Sequence, residues 1–225
     1  MKKEWPLASD LVYMFSNFHR LGAETYKAAE LEILTGAAAL MAEYNGIENV
    51  PHVQEKLSWL AMYTEGTEIL GKAACDYCVS EPDSALVFRN PMIANVAKFF
   101  YADNWHQATK HLQDIAGGIV ATIPSSKDFF NPETHDLLER YLGGKAGTLT
   151  EHRIRLIKLI RDMTSAYEDI LTIHGEGSLA AQRLSISALA DFGLYKAAAK
   201  RAARILDGSQ HPIFSQFPEF PFQNW

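Results

Sequence analysis

The segment His174-Gly175-Glu176-Gly177-Ser178 carries the densest chemistry in this chain. An imidazole and a carboxylate share one short turn between two apolar-periodic stretches. The two glycines permit a tight turn and a close approach of backbone to a ligand. Ser178 is placed to cap the following helix, whose first amides then carry a partial positive charge suited to phosphate or another anion. The same five residues also read as a polar interhelical loop ended by a C-cap glycine.

A second constellation is His19-Arg20, Ala23, Tyr26 and Lys27. Positions 19, 23, 26 and 27 are one and two turns apart, which places them on one helical face. An imidazole, a phenol and an amine among apolar neighbours can bind an anion, or move a proton where burial shifts a pKa. They also read as a core-facing His and Tyr, with Arg20 and Lys27 at an edge. A third constellation is Gln113 followed by Gly117-Gly118. Paired glycines end a helix and also leave bare backbone for a flat cofactor, with Gln113 one turn back as a hydrogen-bonding side chain. His106 and His111, five residues apart, make a poor metal pair, and no metal site is expected. Cys75 and Cys78 sit in a helical pattern with no preceding strand and no second pair. They are expected to be buried, reduced thiols.

Long helices must position these groups, because proline is missing from long stretches of the chain. A very long first helix runs from Pro6 to Asn45-Gly46, with Leu7, Leu11, Met14, Phe15 and Phe18, then Leu31, Leu34, Ala38 and Met41, at helical spacing. Gly22 and Gly36 inside it are expected at close helix contacts. Further helices are expected over Val53–Cys78 (apolar side Leu57, Leu60, Met62, Ile69, Leu70), Met92–Ile115, Glu151–Ile173 and Leu179–Leu206, with a short one near His135–Tyr141. No strand pattern stands out. The fold class is all-α: an antiparallel four-helix bundle with an extra helix over residues 1–206. The tail 207–225 carries prolines and Phe214, Phe217, Phe220, Phe222 and Trp225. Aromatics at that density are expected to pack on a neighbouring surface.

At 48% hydrophobic residues the chain can bury a sizeable core, and a net charge of -6 without a basic tract argues against nucleic acid as a partner. The first residues lack the apolar stretch of a secretory signal, and no run is apolar for long enough to span a bilayer. No membrane association is expected, and the reading is cytoplasmic.

Together these pieces resemble the C-terminal helical domain of the 4-hydroxyphenylacetate 3-hydroxylase and 4-hydroxybutyryl-CoA dehydratase flavoprotein family. The resemblance rests on Asn17-Phe18-His19-Arg20, Lys27, Gly36-Ala37-Ala38, Lys98-Phe99-Phe100-Tyr101-Ala102, Gln113-Asp114-Ile115-Ala116-Gly117-Gly118, Pro124-Ser125, Arg161-Asp162 and His174-Gly175-Glu176-Gly177-Ser178, in that order. It implies an acyl-CoA-dehydrogenase-like architecture whose C-terminal bundles associate into tetramers, with FAD between subunits. On that footing Gln113, Gly117 and Gly118 resemble the segment that touches a neighbouring subunit's FAD. His174, Gly175, Gly177 and Ser178 resemble a flavin-side loop, and Arg20 would face phosphate or flavin. His19, Lys27, Glu176 and Tyr26 become the catalytic candidates. The family's N-terminal and β domains have no counterpart here: either a separate chain carrying them supplies them, and is then the expected partner, or this chain is a remnant or an excised domain. The dehydratases hold a 4Fe–4S cluster with three cysteines and a histidine. His19 matches the histidine, but Tyr26 stands at a cysteine position and Ala23 at that of an active-site tyrosine, and a phenol replaces a thiolate poorly. The cluster is therefore not expected. The expected role is the C-terminal part of a flavin-dependent oxidoreductase or lyase; the alternative is a non-catalytic helical oligomerisation bundle that binds no flavin.

Overall fold

Pro6 opens the longest helix, α1 (Trp5–Asn45), at a position where its missing N–H costs nothing. Gly46 ends it in the left-handed region (φ 69°), returning its N–H to the carbonyls of Ala42 and Glu43. After a short connection α2 (Pro51–Asp76) returns along α1. An antiparallel ladder follows, β1 (Val79–Ser80) with β2 (Val87–Phe88), Val79 facing Phe88 and Ser80 facing Val87. The Asn90 side chain then caps α3 (Pro91–Ala116), accepting the Ile93 N–H at 3.1 Å. The short helices α4 (Ile119–Thr122), α5 (Ser126–Phe129) and α6 (His135–Leu142) lead into α7 (Thr150–Ser165), α8 (Tyr167–His174), α9 (Leu179–Leu189) and α10 (Phe192–Ala202). This computed structural model describes residues 4–80 and 85–205, so the aromatic tail 207–225 lies outside the described residues.

The chain divides into two compact units, 1–187 and 188–225. In the first, α1, α2, α3 and α7 pack together as a four-helix bundle, and the fold is all-α apart from the two-residue ladder. Its core is Leu31, Leu34, Ala38 and Met41 of α1, Leu60 and Tyr63 of α2, Tyr101, Trp105 and Leu112 of α3, and Ile157 and Ile160 of α7. Alanines at 37, 38, 42, 102, 108 and 116 line the same core and let the helices approach closely. Within the second unit α10 is opened by Asp191, whose carboxylate accepts the Leu194 N–H at 2.9 Å. Among the described residues, no helix is long and apolar enough to cross a membrane.

The structure corrects several expectations. The helix expected over Glu151–Ile173 breaks at Ala166, which is extended. Gln113 of α3 makes the break tolerable by donating to the Thr164 carbonyl at 3.1 Å. The helix expected over Leu179–Leu206 is interrupted before Asp191, whose capping carboxylate was the sequence signal for a new start. Cys75 and Cys78 are exposed rather than buried, because Ala74 is the residue that the last turn of α2 turns inward. Met62 and Ile69 are exposed while Tyr63 and Thr67 are buried, so the inner face of α2 is rotated from the expected one. A side chain added at Gly22 or Gly36 would meet nothing within 4 Å, so neither marks a close contact among the described residues. Leu7, Leu11, Phe15 and Phe18 keep their helical spacing but stay exposed.

Truncating Leu31, fully buried in the bundle, to alanine should lower unfolding stability by about 3 kcal/mol. The same change at Leu40, 38% exposed on the same helix, should cost under about 1 kcal/mol. Urea denaturation of both variants checks this. Equal losses would contradict the packing described here.

Candidate functional site

The 174–178 turn is held from inside the bundle by two lysines. α8 ends at His174, leaving its last carbonyls without helical partners. Lys27 of α1 and Lys98 of α3, 1% and 0% exposed, bring their ammonium groups to that end. Lys27 Nζ donates to the Thr172 carbonyl at 2.5 Å and to Thr172 Oγ1 at 3.0 Å. Lys98 Nζ donates to the carbonyls of Thr172 and Ile173 at 3.2 and 3.1 Å. Cations are favoured here, since the carbonyls and the helix dipole both present negative charge.

Glu176 faces the same two ammonium groups. Its Oε2 lies 3.3 Å from Lys98 Nζ and 3.9 Å from Lys27 Nζ, and its Oε1 accepts the Tyr26 hydroxyl at 2.5 Å. Glu30 lies nearby without touching either lysine: its Oε2 accepts Thr172 Oγ1 at 2.7 Å and the Tyr101 hydroxyl at 3.0 Å. Both ammonium groups thus share Glu176, and the charge of Glu30 favours the Lys27 ammonium from further off. Burial, and next the neighbouring Lys98, push the Lys27 ammonium down to about 8, against the pull of Glu176 and Glu30. Burial and the bond to Glu176 raise the Tyr26 phenol well above its ordinary value, so it stays a donor.

The backbone places this carboxylate at a cost. Glu176 has φ 61°, a left-handed conformation that costs a side chain about 1–2 kcal/mol. Gly177 follows at φ 98°, where any side chain would be strained. The turn is pinned on its far side by Arg20, whose Nε reaches the Glu176 carbonyl at 3.4 Å, and by buried Gln182, which donates to the Gly177 carbonyl at 3.0 Å. Ser178 caps α9 by accepting the Ala181 N–H at 3.3 Å. The start of α8 is fixed as well, because Trp105 of α3 donates to Asp169 at 2.7 Å.

The expected residues fall into three places. Lys27, Tyr26, Glu176 and Arg20 converge with Gly175, Gly177 and Ser178 on the turn. His19 does not join them; it is exposed and stacks on Phe15 with ring centroids 5.4 Å apart. The single face expected for positions 19, 23, 26 and 27 is really two stripes, since neighbouring residues are about 100° apart while a seven-residue step nearly closes two turns. Arg20 and Lys27 form the buried stripe, and His19 and Tyr26 the exposed one; the side chain of Ala23 lies outside the described ones. His174 is exposed at the end of α8. Gln113, Gly117 and Gly118 form a separate site, about 22 Å from Lys98 along α3. There Gly117 (φ 79°) and Gly118 border an open groove of about 480 Å³, with Lys110 and Ser165 in its walls. Lys98, Thr172 and Glu30 were missed. The signal for Lys98 was present: it interrupts an apolar stripe of α3 running through 94, 101, 105, 108 and 112. Among the described residues no group of three or more His, Cys, Asp and Glu side chains is arranged to hold a metal ion.

The profile of a family described as 4-hydroxyphenylacetate 3-hydroxylase C terminal matches residues 8–204. The 4-hydroxybutyryl-CoA dehydratase/vinylacetyl-CoA-Delta-isomerase of Clostridium aminobutyricum is 28% identical over 90% of this chain and 44% of its own length. The oxygenase component of 4-hydroxyphenylacetate 3-monooxygenase from Thermus thermophilus is 32% identical over 61% of this chain and 28% of its own. Among solved structures, an oxygen-tolerant archaeal 4-hydroxybutyryl-CoA dehydratase from N. maritimus superposes with a TM-score of 0.82 at 34% identity, over 93% of this chain and 42% of that one. An oxygenase component of 4-hydroxyphenylacetate 3-monooxygenase, solved with FAD and 4-hydroxyphenylacetate, shares the fold with a TM-score of 0.75 at 24% identity, over 82% and 39%. The chain thus spans less than half the length of these relatives.

Lys27 should leave a pH signature. Its pKa is about 8 in the folded chain and an ordinary 10.5 when unfolded, so between these values the unfolded chain binds more protons and stability rises with pH. The urea midpoint of the wild type, minus that of Lys27→Met, should climb as pH goes from 8 to 10. A flat difference would show that Lys27 is not the buried, depressed ammonium described here.

Proposed function

The chain belongs to the 4-hydroxyphenylacetate 3-hydroxylase C-terminal family, and on that premise we propose that it forms the helical part of a flavin-dependent enzyme. In this reading it supplies the oligomer core and one wall of an FAD pocket. The portion of its relatives that it does not span completes the pocket in this reading. The observation that carries the reading is Glu176, a carboxylate kept in an unfavourable backbone conformation while a phenol and two buried lysines fix both its oxygens. Strain of this kind persists where surrounding structure over-determines it, and it clusters at functional sites.

The residues present suit a flat, phosphate-bearing cofactor. A side chain built at Gly117 or Gly118 would meet no atom within 4 Å, so the groove beside them has room for a ring system against bare backbone, and Lys110 adds a cation. Gln113, Gly117 and Gly118 would hold FAD at that end, and His174, Gly175, Gly177 and Ser178 at the other. Their separation, about 22 Å between Lys98 beside the turn and Gln113 along α3, supports a reading in which they serve different flavins of an oligomer. FAD, when bound, supplies the redox chemistry that no side chain here can perform. The residues do not suit a 4Fe–4S cluster: a phenol engaged with Glu176 stands at the cysteine position, and both cysteines lie exposed at the end of α2.

The chain's own part is proton handling and positioning. Glu176 is the base, and Tyr26, held protonated, donates its hydroxyl to Glu176 Oε1 and so orients the carboxylate. Lys27 and Lys98 pair with the second oxygen of the carboxylate at 3.9 and 3.3 Å. Arg20 holds the turn from behind. His19 acts on what approaches the exposed stripe it shares with Tyr26. The substrate in this reading is a phenol or a short acyl-CoA. One observation favours the alternative of a non-catalytic oligomerisation bundle: Trp5, Leu7, Leu11, Phe15 and Phe18 are all at least 66% exposed, an apolar stripe that another subunit would cover.

Co-purification with a chain bearing the N-terminal and β portions should give a flavin spectrum and a mass that requires both chains. Gly118→Leu should remove the flavin without changing the mass, because residue 118 has an ordinary helical φ and open space around it. Glu176→Gln should keep flavin and mass but lower turnover about a hundredfold or more. A colourless oligomer that takes up no flavin on titration would establish the oligomerisation bundle instead.

A further inference from the structure

We propose that Cys75 and Cys78 form a dithiol that a low-molecular-weight disulfide oxidises to a bond within the chain. They are the two cysteines of the sequence, and both are free and exposed. Neither belongs to the turn after α8 or to the Gly117–Gly118 groove, and the proposal stands whether or not the chain binds flavin.

The backbone keeps the two sulfurs on one side of the chain. Cys75 lies in the last turn of α2, next to the inward-facing Ala74. The helical ladder runs one residue past α2, because the Tyr77 N–H donates to the Ala73 carbonyl at 3.0 Å. Tyr77 has φ -93°, and it is its ψ of 42° that leaves the helix. A three-residue helical step puts two side chains on one face with Cβ atoms about 5–6 Å apart. A disulfide joins Cβ atoms about 3.5–4.5 Å apart. Cys78 lies outside both α2 and β1, so it can move the remaining distance without breaking the Tyr77–Ala73 bond.

Access is open on the Cys75 side. This residue borders a groove of about 580 Å³ between α1 and α2, walled by Ala28, Glu32, Thr64, Glu68 and Lys72. The Cys75 thiolate attacks one sulfur of the small disulfide, forming a mixed disulfide as the old S–S bond breaks and one small thiolate leaves. The Cys78 thiolate then attacks the Cys75 sulfur, closing the Cys75–Cys78 bond and releasing the second small thiolate. Two electrons pass from the pair to the small disulfide, and the two thiol protons go to solvent or to the released thiolates. The new bond closes at a junction: the Ala74 carbonyl accepts the N–H of Asn90, the cap of α3, at 2.9 Å, and β1 starts at Val79. Oxidation therefore ties the entry of the ladder to the end of α2, where α3 begins.

The full chain and its Cys78→Ser variant should be incubated with oxidised glutathione, quenched in acid and analysed by intact-mass spectrometry and thiol titration. The wild type should lose two hydrogens and both titratable thiols, and a reducing dithiol should restore them. Cys78→Ser, which lacks the second thiol, should keep one glutathione on Cys75. In the wild type that adduct should stay below about a tenth of its level in the variant, because a thiol so near acts at an effective concentration in the millimolar range or above. The variant changes an exposed side chain, so its urea midpoint should match that of the reduced wild type. The oxidised wild type should unfold at the same urea concentration or a higher one. The proposal is overturned if the wild type retains glutathione as the variant does, or if it forms disulfide-linked dimers instead. It is equally overturned if oxidation lowers the urea midpoint, since the fold would then oppose closure.

Discussion

Two ammonium groups on the exposed carbonyls of one helix end organise this molecule. Many helices stop on a left-handed glycine that folds the chain back onto their last carbonyls. At the end of α8, Gly175 reaches only the Leu171 carbonyl, and Lys27 and Lys98 come in from two other helices to those of Thr172 and Ile173. Their stems cross the apolar core, so they reach that point only if α1, α3 and α8 are in register. Once there they need a counter-charge, and the turn after α8 supplies it. Helix termination, core packing and the position of Glu176 are thus one electrostatic problem with one solution. Removing either lysine would leave a carboxylate and several carbonyls facing a void in a low-dielectric interior.

This coupling explains what was legible in the sequence. The long helices were, because proline gaps and the Leu31, Leu34, Ala38, Met41 spacing are local signals. The break at Ala166 was not, because Gln113 stabilises it from fifty residues away. The break before Asp191 was legible in principle, since aspartate is among the preferred residues for capping a helix start. Exposure was the hardest property to read. The apolar residues at 7, 11, 15 and 18 have the same period as those at 31, 34, 38 and 41, yet only the second set meets another helix within the first unit. Periodicity shows that a helix has an apolar side and does not show what lies against it.

The site followed the same pattern. Glu176 and Lys27 were readable as unusual residues at fixed spacing, and both meet. Tyr26 meets them only through its hydroxyl, from the exposed stripe. His19 belongs to that stripe too, one residue from a buried arginine, because a single step around a helix separates core from surface. Lys98 could have been found by asking why a lysine interrupts an apolar stripe. Thr172 could not, since its importance lies in its carbonyl, which every residue has.

α3 carries Lys98 near its start and Gln113 near its finish, with no break between them. A helix is a rigid screw, so distance and direction along it are set together. One inserted residue would lengthen the span by about 1.5 Å and also rotate one end against the other by about 100°. Neither error can be corrected without the other. Chain added in the connection from α3 to α7 or between the two strands changes neither spacing nor phase along α3.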